Sequence, residues 1–250
     1  MQANRFFKLG VASLLVAAAW PASALTTTIN TTWLAANARL DFSADAVNAL
    51  DSAGVSRIAR GTTTALDAAG TSFNMPVTSA TTELSLFPMS LTSTYGAAMG
   101  SALELTRGTG KDLIIGNMAL DFKNKVVKAD VWANGVKSSM DVYSFNIAKG
   151  LSLSLNGGLS LKEKVDHLTL TSTAVDTFAS ALKIPNVLKS TLAGLDYGSI
   201  SIDIGVALRS GGPVSGKAYT PPPVPEPSTY ALMGLGLLTA GFVARRKKAA

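Results

Sequence analysis

The chain of 250 residues has no cysteine, only one histidine, and few charged residues, which make up 15% of the sequence. Without cysteine, disulfide scaffolds, thiolate metal sites and cysteine nucleophiles are excluded. With one histidine, two-histidine zinc or iron sites are excluded, and a Ser-His-Asp triad would have to use His167. The fold must therefore take its stability from a hydrophobic core, which about 200 residues can supply as a single domain.

The first 24 residues predict a secretory signal peptide. Arg5 and Lys8 give a positive start, and the apolar run 9–19 is too short to span a bilayer stably, which favours cleavage over retention. The cleavage site is predicted at the small-residue pattern that ends this segment, formed by Ala22 and Ala24, so that the mature chain begins at Leu25.

The opposite end combines a proline-rich spacer, an uncharged segment and a basic tail. Prolines fix φ and cannot join a sheet ladder, which predicts an extended spacer over 219–229. Residues 230–244 carry no charge and reach about 22 Å as a helix, so that they become long enough to span a bilayer only with Ser228 and Thr229. Cations beside such a segment stay in the cytoplasm, which places the body of the chain across the membrane.

The predicted transmembrane helix starts with Tyr230, Ala231, Leu232, Met233, Gly234, Leu235, Gly236, Leu237 and Leu238. The cytoplasmic tail 245–250 holds the basic cluster Arg245, Arg246, Lys247 and Lys248.

Pro225-Glu226-Pro227, the short apolar helix and the terminal basic cluster together resemble the PEP-CTERM sorting signal. The resemblance implies recognition at Pro225, Glu226 and Pro227 by an exosortase, a membrane-embedded transpeptidase-like protease. It also implies a Gram-negative host that exports exopolysaccharide, and a helix that anchors the chain in the inner membrane until it is removed. It covers about the last 27 residues and implies nothing about the activity of the body.

The net charge of +6 comes from the two ends. Without the six cations of the signal peptide and the basic cluster, 16 basic residues face 16 acidic ones. A nucleic-acid-binding protein should show a basic face, and this body is formally neutral. Nucleic acid is therefore not an expected partner.

The body, residues 25–218, is predicted to be one mainly β domain, antiparallel and sandwich-like, with two or three short helices. Between 112 and 170, apolar residues alternate along successive segments, and Asn134-Gly135 is a strong signal for a two-residue hairpin turn. Turns are also predicted at Lys123-Asn124 and at 156–158. A late strand over 199–208 places Ile200, Ile202, Ile204 and Val206 on one face.

Two helices are predicted among these strands, and a third over 186–193. Ser43 caps the first, with Gly54 just after its end, and Thr171 or Ser172 opens the second, which Pro185 ends. Residues 40–54 align without gaps to residues 168–182. This similarity is either an old duplication or the same strand-to-helix junction built twice, and its short length favours the second interpretation.

Few residues carry a chemical signal. Asp41 and Asp45, and Glu163 and Asp166, lack the spacing of a calcium loop and are predicted to be solvated charges. The run 108–111 lacks the glycine spacing of a phosphate loop and is predicted to be a turn. Trp132 and Tyr143 are predicted to pack within the sheet rather than to stack on sugars. No metal site and no cofactor is predicted.

The segment 40–55, a strand ending at Phe87-Pro88 and a β-rich second half resemble the haem-transport-associated (HtaA-like) domains of bacterial surfaces. That resemblance implies a β-sandwich-like module in which Tyr95 would bind a ligand and His167 would support it. His167 lies in a predicted strand, where neighbours point to opposite faces, so Asp166 is not expected to orient it.

Taken together, these features predict a non-enzymatic, exported protein of the cell surface or extracellular matrix. Its expected role is structural or interactive, linked to exopolysaccharide, biofilm or other surface proteins. An extracytoplasmic small-ligand module is the alternative. A secreted hydrolase would need two convergent carboxylates, for which the sequence gives no sign.

Overall fold

A computed structural model of the chain describes residues 24–86, 89–108, 112–155 and 158–222, together with residues 232, 233 and 235. The strands are β1 Leu25–Asn30, β2 Leu34–Phe42, β3 Ser56–Gly61, β4 Thr64–Ala65, β5 Ser72–Pro76, β6 Ser79–Leu86, β7 Met89–Thr106, β8 Asp112–Asp121, β9 Val126–Ala133, β10 Val136–Ser154, β11 Ser160–Leu170 and β12 Gly198–Leu208. The helices are α1 Ala44–Ser52, α2 Ser172–Ala181 and α3 Lys189–Gly194, with a 3-10 turn at Asn186–Leu188.

All these strands belong to one antiparallel sheet. Its order is β1-β6-β7-β8-β9-β10-β11-β12-β2-β5-β4, and β3 pairs with β7. β5 lies near one end of this order and β6 near the other, yet only residues 77 and 78 separate them in the chain. The sheet must therefore curl until its two ends approach each other. The predicted mainly β, antiparallel class is confirmed, in the form of one curled sheet.

Local turn chemistry sets the hairpins. Asn134 and Gly135 form the tight turn between β9 and β10, and both have positive φ, at 51° and 83°. A turn of this kind matches the twist of the flanking strands, because both of its central residues are left-handed. The predicted turn at Lys123-Asn124 is also present, between β8 and β9. Residues 87–88, 109–111 and 156–157 lie outside the described part of the chain.

The three helices lie where the sequence predicts them. The Ser43 hydroxyl accepts a hydrogen bond from the Ala46 amide, and Thr171 does the same for Ala174. α1 and α2 are each followed by a residue with positive φ, Gly54 after α1 and Lys183 after α2. α2 therefore ends before Pro185, the residue that was predicted to end it.

The core fills the space inside the curled sheet and beneath the helices. Tyr143 contacts Phe178 of α2 edge-on at 6.5 Å between ring centroids and lies 5.4 Å from the ring of Tyr197. Trp132 and Tyr143 are buried, which confirms that they pack within the fold. The predicted buried face of β12 holds for Ile200 and Ile202 but fails for Val206, which is 59% exposed near the end of the strand.

The predicted signal peptide lies outside the described residues except for Ala24, and so do the motif at 225–227 and the basic cluster. Of the predicted membrane helix, Leu232, Met233 and Leu235 are described; they are helical and exposed. Among the described residues, no helix is both long enough and apolar enough to span a bilayer.

Candidate functional site

Residues 209–222, here called the strap, follow β12 and lead directly towards the predicted sorting motif. The strap folds back onto the body instead of leaving it at the end of β12. Its first part is held along β2 and the residues before it, where Arg209 donates to the carbonyls of Trp33 and Ala36 and the Val214 amide donates to the Thr32 carbonyl at 3.0 Å.

Asn117 holds the end of the strap. It lies at a bulge of β8 with φ of 53° and is only 6% exposed. Its Oδ1 accepts hydrogen bonds from the amides of Tyr219, at 2.6 Å, and Gly100, at 3.1 Å. Its Nδ2 donates to the Tyr219 carbonyl at 3.1 Å and to Oδ2 of Asp130 at 2.8 Å. One buried amide thus uses both its acceptor positions and both its donors, and two of these bonds hold the strap.

The body is shaped to receive the Tyr219 ring. This ring contacts Trp132 edge-on, with 5.8 Å between ring centroids. A Cβ atom on Gly61 would lie 2.8 Å from the same ring, and one on Gly100 would lie 3.0 Å from the Lys217 carbonyl. A larger residue at Gly100 would press on the strap, whereas one at Gly61 would clash first with the backbone carbonyl of Gly100. Burial also raises the pKa of the Tyr219 hydroxyl.

A second feature is a cavity inside the curled sheet. It has a volume of about 30 Å³, room for a water molecule, and is lined by strand residues that are mostly apolar. Glu163 of β11 faces into it and is only 6% exposed. Burial raises the pKa of this carboxyl, and a hydrogen bond with Ser93 partly opposes that effect. The prediction of a solvated Glu163 is therefore wrong.

Tyr95 and His167 have different surroundings. Tyr95, on β7, lines the mouth of the cavity and is 39% exposed. His167, on β11, is exposed, and its Nδ1 lies 3.1 Å from Oδ1 of Asp166. The two strands are not neighbours in the sheet, and His167 is not among the residues that line this cavity. The predicted ligand site, in which Tyr95 binds the ligand and His167 supports it, stays a prediction.

The expectation that Asp166 could not reach His167 is wrong. His167 has φ of 52°, and the β10–β11 register shifts between the pairs Ser144–Thr169 and Asn146–Asp166. This bulge breaks the alternation of the strand and brings both side chains to one side. The hydrogen bond with Asp166 raises the pKa of the imidazole.

The remaining candidates form no further site in the described part of the chain. Asp41 pairs with Arg39 and accepts a hydrogen bond from Ser72, while Asp45 lies in the first turn of α1. Over the residues that the structure describes, no three His, Asp or Glu side chains are grouped so that they could hold a metal ion.

Asn117 was not predicted from the sequence to have a role, and Glu163 was predicted only as a solvated charge. Gly116-Asn117 interrupts an otherwise apolar strand, and such a pair is a recognised signal for a bulge. Strict alternation in β11 puts Glu163 on the same face as the buried Val165, between the exposed Lys162 and Lys164. Both signals were present in the sequence.

Comparison with known families identifies the class of the tail. Residues 223–247 match the model of the PEP-CTERM protein-sorting motif. The chain is therefore a protein with a PEP-CTERM sorting signal, as the resemblance implied, and the match begins four residues after Tyr219. This motif implies export, anchoring through the C-terminal tail and processing by an exosortase. No curated protein and no solved structure matches the chain.

Proposed function

We propose that this chain is an exported, non-enzymatic protein of the surface or extracellular matrix of a Gram-negative bacterium. A signal peptide over 1–24 starts its export, and the helix over 230–244 holds it in the inner membrane until an exosortase acts near Pro225. The released or re-attached body serves a structural or interactive role in exopolysaccharide or biofilm. The observation that carries this proposal is the sorting motif placed directly after a docked strap.

Three features of the body support a structural role. The fold is one continuous curled sheet, in which local hairpins and buried apolar side chains supply the stability that disulfides supply in other exported proteins. The histidine is exposed and bonded to Asp166. The strap ties the last residues before the motif to the centre of the sheet, so that the body can be carried through processing as a folded unit.

The intact mass of the protein recovered from its host tests the proposal. We expect an N-terminus at Leu25 and a C-terminus close to Pro225–Ser228. A mass that ends at Ala250 would show that the tail is retained, and the exosortase step would then be wrong.

A variant pair tests the role of the motif. Glu226→Gln combined with Pro227→Ala should leave the tail attached and the protein in the membrane fraction. Pro221→Ala combined with Pro222→Ala, just outside the matched residues, should be processed like the natural chain. Equal processing of both pairs would contradict the proposal.

A further inference from the structure

The strand β1, Leu25–Asn30, stands at one end of the sheet order and has a strand on one side only. All its residues pair with β6 in an unbroken register, and in the described part of the chain no strand pairs with its other edge. The first four residues and Asn30 are exposed. An edge strand of this kind presents a row of unpaired backbone amides and carbonyls, to which another strand can add.

The other edge strands, β3 and β4, carry features that hinder strand addition. β4 has only two residues, and β3 contains Arg57 and Arg60. Short length, charges, prolines and bulges are the usual means by which proteins prevent edge-to-edge pairing. β1 has no charged side chain, no proline and no register shift, so it is the edge that a further strand can extend.

The sequence of β1 is complementary to itself. Residues 25–29 read Leu-Thr-Thr-Thr-Ile, with an apolar residue at each end and threonines between them. When two copies are paired antiparallel about Thr27, Leu25 faces Ile29 of the partner subunit, and Thr26 faces Thr28 of the partner subunit. Apolar pairs and threonine pairs in opposite positions stabilise a sheet, and no like charges meet. The strand that suits this edge is therefore a second β1.

An apolar row leads up to the same edge. Leu25, Leu84 and Leu91 lie opposite one another in β1, β6 and β7 and so share one face of the sheet. Leu25 is 55% exposed and Leu91 is 39% exposed. Pairing about Thr27 would continue this row into the second copy and cover Leu25.

We propose that two copies of this chain associate through β1, antiparallel about a two-fold axis at Thr27, so that their sheets become continuous. An interface between identical patches closes on itself. It uses the open edge of each copy and leaves only the edges that hinder addition, so the assembly stops at a dimer. The inference goes beyond the proposed function and does not depend on processing, since the sorting motif lies near the opposite end of the chain.

Disulfide cross-linking tests the pairing directly, because the chain has no cysteine of its own. Full-length single-cysteine variants replace the natural chain in the host, are oxidised in intact cells and are separated without reductant. Thr27→Cys places two cysteines opposite each other, within the Cα distance that a disulfide spans, and should give a product of twice the mass of the chain.

Two controls define the register. Thr28→Cys alone should give no such product, because its two copies are offset by two residues, whereas Thr26→Cys and Thr28→Cys chains produced together should cross-link. Val187→Cys, in the 3-10 turn and 79% exposed, should stay monomeric. No product from Thr27→Cys, an equal product from either control alone, or a product that contains a different protein overturns the proposal.

A charge at the two-fold axis tests the interface without cysteine. Thr27→Lys sets two ammonium groups opposite each other, and the dimer should be lost when the detergent-solubilised protein is weighed by native mass spectrometry. Circular dichroism checks that this variant is folded. Thr27→Val is the uncharged matched control and should remain a dimer. A monomeric natural protein, or a Thr27→Lys variant that stays dimeric, contradicts the two-fold pairing of β1.

Discussion

The two strand-to-helix junctions of the molecule, 40–55 and 168–184, are built almost alike and end differently. In each, a hydroxyl at the N-cap accepts from the amide three residues later and donates to a carbonyl of another segment, Asp196 for Ser43 and Asp141 for Thr171. In each, the residue after the C-cap has positive φ and the following amide bonds back five residues, from Val55 to Leu50 and from Ile184 to Ala179.

The chain then takes different routes. After α1 it enters β3, which pairs with β7, whereas after α2 it forms the 3-10 turn and α3 before it returns as β12. The structural likeness thus covers the strand end, the helix and its two caps, as the sequence similarity does. The comparison teaches that one fold uses the same capping chemistry at two strand-to-helix junctions whose chains then continue differently.

One side chain joins the two junctions. Nε of Arg107 donates to the Ala53 carbonyl at 2.9 Å, and its Nη1 donates to the carbonyls of Leu182, at 3.1 Å, and Lys183, at 2.8 Å. These carbonyls end α1 and α2, where the helix dipoles favour a cation.

The largest effect is expected from Arg107→Ala, which removes the shared cation from both junctions. The free energy of unfolding should fall by about 3 kcal/mol, because charge-assisted hydrogen bonds at both helix ends are lost together. Urea denaturation measures this effect. Lys189→Ala, which breaks only the exposed pair with Asp176, is the control and should change stability by about 0.5 kcal/mol or less. A loss no larger than that of the control would show that the two ends do not depend on Arg107.

The N-caps should matter next, and nearly equally. Ser43→Ala and Thr171→Ala should each lower the free energy of unfolding by about 1 kcal/mol, since each removes an N-cap hydrogen bond. The double variant should show the sum, because the two sites share no direct hydrogen bond. A loss of stability in only one of the two single variants would show that the two N-caps do not contribute equally.

The C-terminal residues of the helices should respond in opposite directions. Lys183→Gly should stabilise the protein by roughly 0.5 to 1 kcal/mol, because glycine adopts positive φ without steric cost. Gly54→Lys should destabilise it by about 1 kcal/mol, although no atom lies within 4 Å of an added Cβ there. Thermal or urea unfolding gives both values. Changes of the same sign in the two variants would show that positive φ does not decide which residue is preferred at these two positions.

The smallest effect concerns two basic residues, Arg39 in β2 and His167 in β11, each of which lies one position before its aligned segment. Arg39 pairs with Asp41, and His167 pairs with Asp166. The pKa of His167 is raised by Asp166, so the stability from this pair is full below the unfolded pKa and is lost as pH rises through the folded pKa.

NMR titration of the single imidazole measures this effect. Asp166→Asn should lower the pKa of His167, whereas Asp41→Asn, at the first junction, should leave it unchanged. An unaltered His167 pKa in Asp166→Asn would show that the Asp166 carboxylate does not raise the pKa of the imidazole.

The parts of the fold that local chemistry determines could be predicted from the sequence. The Asn134-Gly135 turn and the caps at Ser43 and Thr171 depend on residues close to one another in the chain. The sequence predicts turns and strands in the region of β7 but not one strand of 18 residues, because its alanines, glycines and serines give little alternation. The curling of the sheet depends on pairings between distant strands, which no local pattern specifies.

The candidate sites also differ in whether neighbouring or distant residues form them, and therefore in how well the sequence predicts them. The sorting motif could be predicted because its elements are adjacent in sequence. The Asn117–Tyr219 contact joins residues 102 positions apart, and the bond between Glu163 and Ser93 joins β11 to β7. Such contacts form only when the sheet has closed on its core.

The docked strap also determines where mechanical force enters the molecule. Tension on the tail is transmitted first to Tyr219, which Asn117 holds at the centre of β8, and not to Leu208 at the end of β12. The hydrogen bonds of Asn117 and the contact with Trp132 must break before the strand beneath can be peeled away. The body is thus held through the middle of β8, and force on the C-terminal tail need not pull strands out of the sheet.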